Sequence, residues 1–305
     1  MARAAKWWRP ALSTLVVATL ATGAASTGCS NKEPAGPEPT KYDPAAYETP
    51  AKGDQPPPPN DDQHRPFLKV IRTGDEPPDG ILPPADTTVT GKAIGKLYTE
   101  VEHAWPSIRF VNPQGRRIDY TATIETDLGK ITIALRPGIA PNHVRNFIAL
   151  ARLGYYDGLS FERLRDEQPE DGSGPGLQTL EAGCPLGTGD PRTGHLGYWL
   201  RDEFPKPEAK VTHEAGTVGA CHGGEADTAC CRFYITLGPA PFLDGNYTVF
   251  GKITDGLDVA QKIFNRPSVI TDQDEDGSRR PQTPVLMRKV TIEEHPQGGS
   301  TGAGG

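Results

Sequence analysis

Residues Tyr120 to Leu135 read YTATIETDLGKITIAL, and Pro141 to Arg152 read PNHVRNFIALAR. In the first stretch Tyr120, Ala122 and Ile124 alternate with threonines and Glu125; Asp127-Leu128-Gly129 supplies a turn, and Ile131, Ile133 and Leu135 resume the alternation. Successive side chains of a strand point to opposite faces, so the pattern predicts a β-hairpin with one apolar face. In the second stretch Val144, Phe147, Ile148 and Ala151 fall at i, i+3, i+4 and i+7, behind a proline at the first turn and ahead of Gly154. That spacing predicts a helix packing one stripe on a sheet. Downstream, strands are expected at 160–164, 217–221, 232–237, 248–253 and 285–293, with a short helix at 257–263. Many short strands with two helices predict a mainly β fold, a closed antiparallel barrel capped by the helices.

Outward from this core the composition changes. The chain has 305 residues with 35 Gly and 31 Pro, more of both than one uniformly packed domain carries. Fourteen of the prolines lie between Ser30 and Ala85, including Pro56-Pro57-Pro58-Pro59, with little hydrophobic periodicity among them. Such a stretch is expected to be a disordered, extended tether. Before it, residues 1–28 carry Arg3, Lys6 and Arg9, an apolar run from Ala11 to Ala21, and small residues up to Gly28, the three parts of an export signal. The apolar run is too short for a membrane-spanning helix. The organisation expected is therefore 1–28 signal peptide, 29–89 tether, 90–117 N-terminal extension, 118–294 folded domain and 295–305 flexible Gly-rich tail. Within the extension, Trp105 to Phe110 is read as an extra strand packing on the barrel.

The net charge of −7 and the lack of any basic run exclude a nucleic-acid role, since phosphate binding needs a concentrated positive face. A monomer is expected. The five cysteines, at 29, 184, 221, 230 and 231, include no Cys-x-x-Cys pair. The run Ala24-Ala25-Ser26-Thr27-Gly28-Cys29 resembles the lipobox of bacterial lipoproteins, although Ser26 stands where Leu is preferred. The resemblance implies acylation of Cys29 and a lipid-anchored protein of the cell envelope; Ser30 after the cysteine resembles cargo sorted to the outer membrane, facing the periplasm.

Four segments in series carry a second resemblance: Thr123 to Gly129; Ala140 to Phe147; Gly154-Tyr155-Tyr156-Asp157-Gly158-Leu159-Ser160-Phe161-Glu162-Arg163; and Phe242-Leu243-Asp244-Gly245-Asn246-Tyr247-Thr248-Val249-Phe250-Gly251. In order and spacing they are similar to cyclophilins over residues 118 to 294. The resemblance implies an eight-stranded antiparallel barrel capped by two helices and cis/trans isomerisation of Xaa-Pro bonds, here in exported or envelope proteins whose folding it assists. The chemistry can be stated independently. Rotating an amide costs about 18–20 kcal/mol, and no bond breaks. Such a site needs an apolar pocket for the proline ring and a fixed donor that meets the prolyl nitrogen only when the amide twists. It needs no metal or cofactor. Arg163 stands at the family's catalytic arginine, and an always-charged planar fork suits the task.

The expected substrate-binding residues match only in part. Tyr234 stands in place of the pocket phenylalanine, Leu243 matches a pocket leucine, Phe242 replaces a tryptophan and Tyr247 a histidine. Beyond an acidic insertion near Asp166 to Gly176, Gln178-Thr179-Leu180-Glu181 occupies the place of Phe-Met-Ile-Gln. A second glutamine becomes Arg232, and an asparagine falls near His222. The two glutamine replacements are opposite in sign, so Glu181 and Arg232 are expected to pair beside Arg163. Four cysteines in an oxidising compartment allow three pairings; a bridge between neighbours Cys230 and Cys231 would be strained, so Cys184 and Cys221 are each expected to join one of them. Asp272-Gln273-Asp274-Glu275-Asp276-Gly277 begins like a calcium loop, but its twelfth position is Thr283, not Glu, and it is read as a solvated acidic loop. Two alternatives stand beside the enzyme: a proline-peptide binding module without turnover, and a structural lipoprotein.

Overall fold

The computed structural model describes residues 68–70, 80–168, 176–204, 211–223, 225–270 and 278–297; the export segment, Cys29, most of the Pro-rich stretch and the Asp272–Gly277 loop lie outside them. In chain order the elements are β1 Leu68–Val70, α1 Ile94–Ala104, β2 Ile118–Thr126, β3 Gly129–Leu135, α2 Pro141–Arg152, β4 Phe161–Glu167, β5 Leu177–Ala182, β6 Tyr198–Leu200, β7 Thr217–Ala220, β8 Phe233–Thr236, β9 Val249–Asp255, α3 Leu257–Phe264, β10 Ser268–Ile270, β11 Arg279–Pro281 and β12 Met287–Pro296. Single 3-10 turns follow α1 at Trp105–Ser107 and precede β9 at Pro241–Leu243.

The main sheet is antiparallel, in the order β10-β11-β4-β5-β8-β7-β9-β3-β2-β12. The hairpin read from the sequence is β2 and β3, with Ile124 opposite Ile131 and Ala122 opposite Ile133, all four fully buried. The ladder counts ten strands where eight were expected, because the short hairpin β10–β11 adds to the outer side of β4 through the pair Arg279 and Leu164. The approach of β4 to β12 is made outside the regular ladder. Gly158 N donates to Met287 O at 2.7 Å, Met287 N to Leu159 O at 2.8 Å and Phe161 N to Val285 O at 3.0 Å. Register shifts at Phe161/Arg163 and at Met287/Lys289 mark where the two strands bend.

Helix α2 is buried along nearly its whole length, polar residues included. Its first turn is capped from far along the chain: the Glu203 carboxylate accepts from Asn142 N at 3.0 Å and His143 N at 3.0 Å, and lies 2.8 Å from His143 Nδ1. An anion at a helix N-terminus meets the unpaired N–H groups and the positive end of the dipole. Asn146 donates to Cys230 O, and Tyr198 donates to Asn146 Oδ1, both at 2.6 Å. Arg145 donates through Nε to Ile108 O at 3.1 Å, with its guanidinium 4.8 Å from the Phe110 ring centre.

Those last partners belong to the extension, which differs from the expectation. Instead of a strand at Trp105–Phe110, the segment forms α1, then one 3-10 turn, then an antiparallel bridge between Val111 and Arg117. Ile94, Leu97, Val101, Trp105, Ile108 and Phe110 are all buried in the main core. The spacing 94, 97, 101 is helical, and Pro106 fits the first turn of the short helix but not an interior strand. Order also begins before residue 90. Leu68–Val70, placed in the tether on composition, pairs antiparallel with Tyr198–Leu200, and Ile81 and Thr88 are buried. At the other end β12 runs through His295 and Pro296, two residues into the expected tail.

Candidate active site

The sheet register assembles a row of four residues across neighbouring strands. Arg163 on β4 faces Glu181 on β5, Glu181 faces Tyr234 on β8, and Tyr234 faces Gly219 on β7. The glycine is required there: a Cβ at 219 would lie 2.2 Å from the Tyr234 hydroxyl. Above this row is a cavity of about 60 Å³, bordered on the charged side by Arg163, Arg165 and Arg232 and on the other by Leu243 and Tyr247.

Arg163 is held from two elements. Its Nε donates to Ser278 Oγ at 2.8 Å, just ahead of β11, and its Nη1 lies 3.6 Å from Glu181 Oε2. The same carboxylate oxygen takes a 2.6 Å bond from Arg232 Nη2. One anion therefore bridges two guanidinium groups, and both Glu181 and Arg232 are 4% exposed. The pair read from the opposite-sign substitutions is present, and it touches Arg163 directly. A second carboxyl lies close by: Glu162 Oε1 accepts from Cys184 N at 2.9 Å. Burial pushes Glu162 up to about 8, against the pull of Arg232 in the other direction.

The far wall is aromatic. His213 Nδ1 lies 2.6 Å from Asp244 Oδ1, and its Nε2 lies 2.7 Å from Tyr234 Oη. Burial holds His213 below the ordinary histidine range despite that carboxylate. A carboxylate only accepts, so the neutral ring carries its proton on Nδ1 and the Tyr234 hydroxyl donates to Nε2. The hydroxyl is thus committed to the wall, and burial raises its pKa well above the usual phenol. Tyr247 meets Tyr234 edge to face at 5.8 Å, and His222 stacks on Tyr247 at 4.4 Å. Burial pushes His222 down as well, leaving a neutral ring.

Of the residues expected at the site, Arg163, Glu181, His222, Arg232, Tyr234, Leu243 and Tyr247 all border the cavity. Phe242 does not: it is 43% exposed. It shares a 3-10 turn with Leu243, and neighbouring side chains there point about 120° apart, so turning Leu243 inward turns Phe242 out. The expected disulfides are absent as well. Cys184, Cys221, Cys230 and Cys231 are buried free thiols. Their sulfurs are engaged elsewhere: Cys184 lies 3.5 Å from Thr188 Oγ1, Cys231 3.4 Å from Gly194 O, and Cys230 takes Leu196 N at 3.4 Å. Cys221 borders the cavity. Among the described residues no group of three or more His, Cys, Asp or Glu is placed to hold a metal.

Arg165, Ser278 and the His213–Asp244 pair were not singled out from the sequence. Arg165 could have been: it stands two residues after Arg163 on one strand and so shares its face. Ser278 and His213 had no such signal, since each reaches its partner only through the fold.

A family model described as cyclophilin type peptidyl-prolyl cis-trans isomerase/CLD matches residues 121–292. The chain belongs to the cyclophilin family. Peptidyl-prolyl cis-trans isomerase B of Bacillus subtilis is 41% identical over 140 residues, covering 46% of this chain and 86% of that relative. Peptidyl-prolyl cis-trans isomerase-like 2 of Gibberella zeae is 34% identical over 216 residues, 68% of this chain but 34% of that much longer relative. The crystal structure of a cyclophilin type isomerase from Cryptosporidium parvum, 24% identical, overlays with a TM-score of 0.47, covering 58% of this chain and 99% of the other. Several cyclophilin relatives thus carry the isomerase name, and residues 121–292 contain every residue named around the cavity, Ser278 included.

Proposed function

We propose that the chain catalyses cis/trans isomerisation of Xaa-Pro peptide bonds, with Arg163 as the catalytic residue. The observation that carries this is a guanidinium held by Ser278 and Glu181 at the edge of a cavity walled by Tyr234, Leu243 and Tyr247. The apolar wall takes the proline ring. The arginine donates to the prolyl nitrogen, whose lone pair is available only while the amide is twisted, so the bond strengthens at the transition state. Prepositioning matters because a mobile arginine would have to be ordered at that moment. The bonds between the start of β4 and the start of β12 support a barrel that is closed in outline and that keeps the groove walls in place.

The experiment is a two-dimensional exchange spectrum of an Xaa-Pro peptide with catalytic amounts of protein. Exchange is expected for the wild type and a fall of at least about 100-fold for Arg163→Ala, the range for losing one preorganised donor. Absent exchange, or exchange equal in the variant, overturns the reading. A second reading has one observation in its favour: Glu181 competes with substrate for Arg163 at 3.6 Å, which suits a module that grips proline peptides without turnover. Peptide binding without exchange in that experiment is its signature.

The export signal in residues 1–28 and the small residues before Cys29 support a protein acylated at Cys29 and held in the cell envelope, at the outer membrane facing the periplasm. There its substrates are the proline-containing segments of exported proteins, whose uncatalysed isomerisation takes tens of seconds and limits folding.

A further inference from the structure

The stems of two site arginines rest on bare main chain. The loop 183–197, between β5 and β6, passes directly behind them. A Cβ at Gly189 would lie 3.2 Å from Arg163 Cβ and 3.5 Å from its Cδ, and one at Gly194 would lie 2.2 Å from Arg232 Cδ. Close-packed contacts transmit displacement, so a shift of this loop is felt by both side chains. What covers the loop comes from far upstream. Leu82 N donates to Arg192 O at 3.0 Å, and Val89 N donates to Pro185 O at 2.8 Å. The buried His195 ties the two segments together: its Nδ1 accepts from Gly197 N at 3.1 Å, so its proton stands on Nε2, which donates to Leu82 O at 2.8 Å. Burial lowers the pKa of this ring and so favours the neutral form that the two bonds require. Ile81 is buried as well, so close over Gly223 that a Cβ there would lie 2.6 Å from Ile81 Cδ1. All of residues 81–89 lie outside the matched segment 121–292.

We propose that residues 81–89 form a strap over the loop 183–197, and that His195, which fastens it, is a positioning residue for Arg163 and Arg232. A loosened strap lets the loop leave the two stems, and the guanidinium groups then have to be ordered during the reaction instead of before it. The apolar wall at Leu243 and Tyr247 is untouched, so the loss falls on kcat and not on KM. The proposal rests on the isomerase reading above for its rates, but not for the placement of the arginines.

The test uses the full chain and an Xaa-Pro peptide. His195→Phe keeps a ring to stack on Trp199, 4.8 Å away, but loses the donor to Leu82 O; His195→Gln keeps a donor. Leu82→Pro removes the N–H that meets Arg192 O, whereas Leu82→Ala changes only an exposed side chain. His195→Phe and Leu82→Pro are expected to lower kcat about ten-fold with KM within about two-fold of wild type, and His195→Gln and Leu82→Ala to stay close to wild type. Solvent exchange of the buried Arg232 Nε–H, followed by NMR, should quicken about ten-fold in the first two variants alone. Wild-type kcat in both His195→Phe and Leu82→Pro overturns the proposal, as does an equal loss in His195→Gln or a loss carried by KM. If His195→Phe does not fold, Leu82→Pro against Leu82→Ala decides. If the wild type turns over no peptide, the isomerase reading fails separately; Arg232 Nε–H exchange then supports the strap by quickening in Leu82→Pro or overturns it by staying unchanged.

Discussion

At the scale of single residues, the site turns on a shared charge. Glu181 lies against both Arg163 and Arg232, inside a region where none of the three is more than slightly exposed. Removing one member of a buried pair leaves an uncompensated charge, which typically costs about 3–5 kcal/mol, whereas replacing both members is often nearly neutral. Glu181→Gln is therefore expected to lower the melting temperature well below that of Glu181→Gln combined with Arg232→Gln, by thermal unfolding of the two variants side by side. Equal melting temperatures would count against a bridging role. This pair was readable in the sequence because two substitutions of opposite sign fall at positions that the family resemblance brings together. Ser278 was not, although it holds Arg163 at 2.8 Å, because a lone serine after an acidic loop has no pattern that points to a partner 115 residues away.

At the scale of elements, periodicity located the hairpin, α2 and α3, since each carries a regular run of apolar positions. It failed where an element depends on others to be satisfied. Helix α2 buries Asn142, His143, Arg145 and Asn146, a set no amphipathic pattern would place inside. They are tolerated because Glu203, Cys230, Tyr198 and Ile108 supply partners from three separate segments. Helix α1 carries a readable stripe at Ile94, Leu97 and Val101, but it lies between a proline-rich stretch and Pro106, which hide it. Its contribution is large. Burial of side chains of this size stabilises by about 1.5–3 kcal/mol each, and Ile94, Leu97, Val101, Trp105, Ile108 and Phe110 together approach or exceed the roughly 5–15 kcal/mol that holds an ordinary domain folded. A chain beginning at residue 118 is thus expected to lack a cooperative unfolding transition, while one beginning at residue 68 keeps it; circular dichroism on heating distinguishes them. Cooperative unfolding of the shorter chain would mean that the extension is an ornament on the sheet.

At the scale of the whole molecule, the proline excess reads as dividing the sequence into a spacer and a folded body. Composition averages over a window and does not register a three-residue strand such as Leu68–Val70. The anchor proposed at the other end of the spacer predicts that cells given a labelled fatty acid transfer label to this chain. Cys29→Ser should lose the label and release the protein from the membrane fraction; label retained in that variant would end the lipoprotein reading.

The pairing of Leu68–Val70 with Tyr198–Leu200 also has a mechanical side. Any pull arriving along the chain from its N-terminal side is borne first by that three-residue ladder, before it reaches α1 or the strands that carry Arg163 and Glu181. A ladder of three pairs is the shortest in the described fold to stand between the N-terminal side of the chain and the strands of the groove.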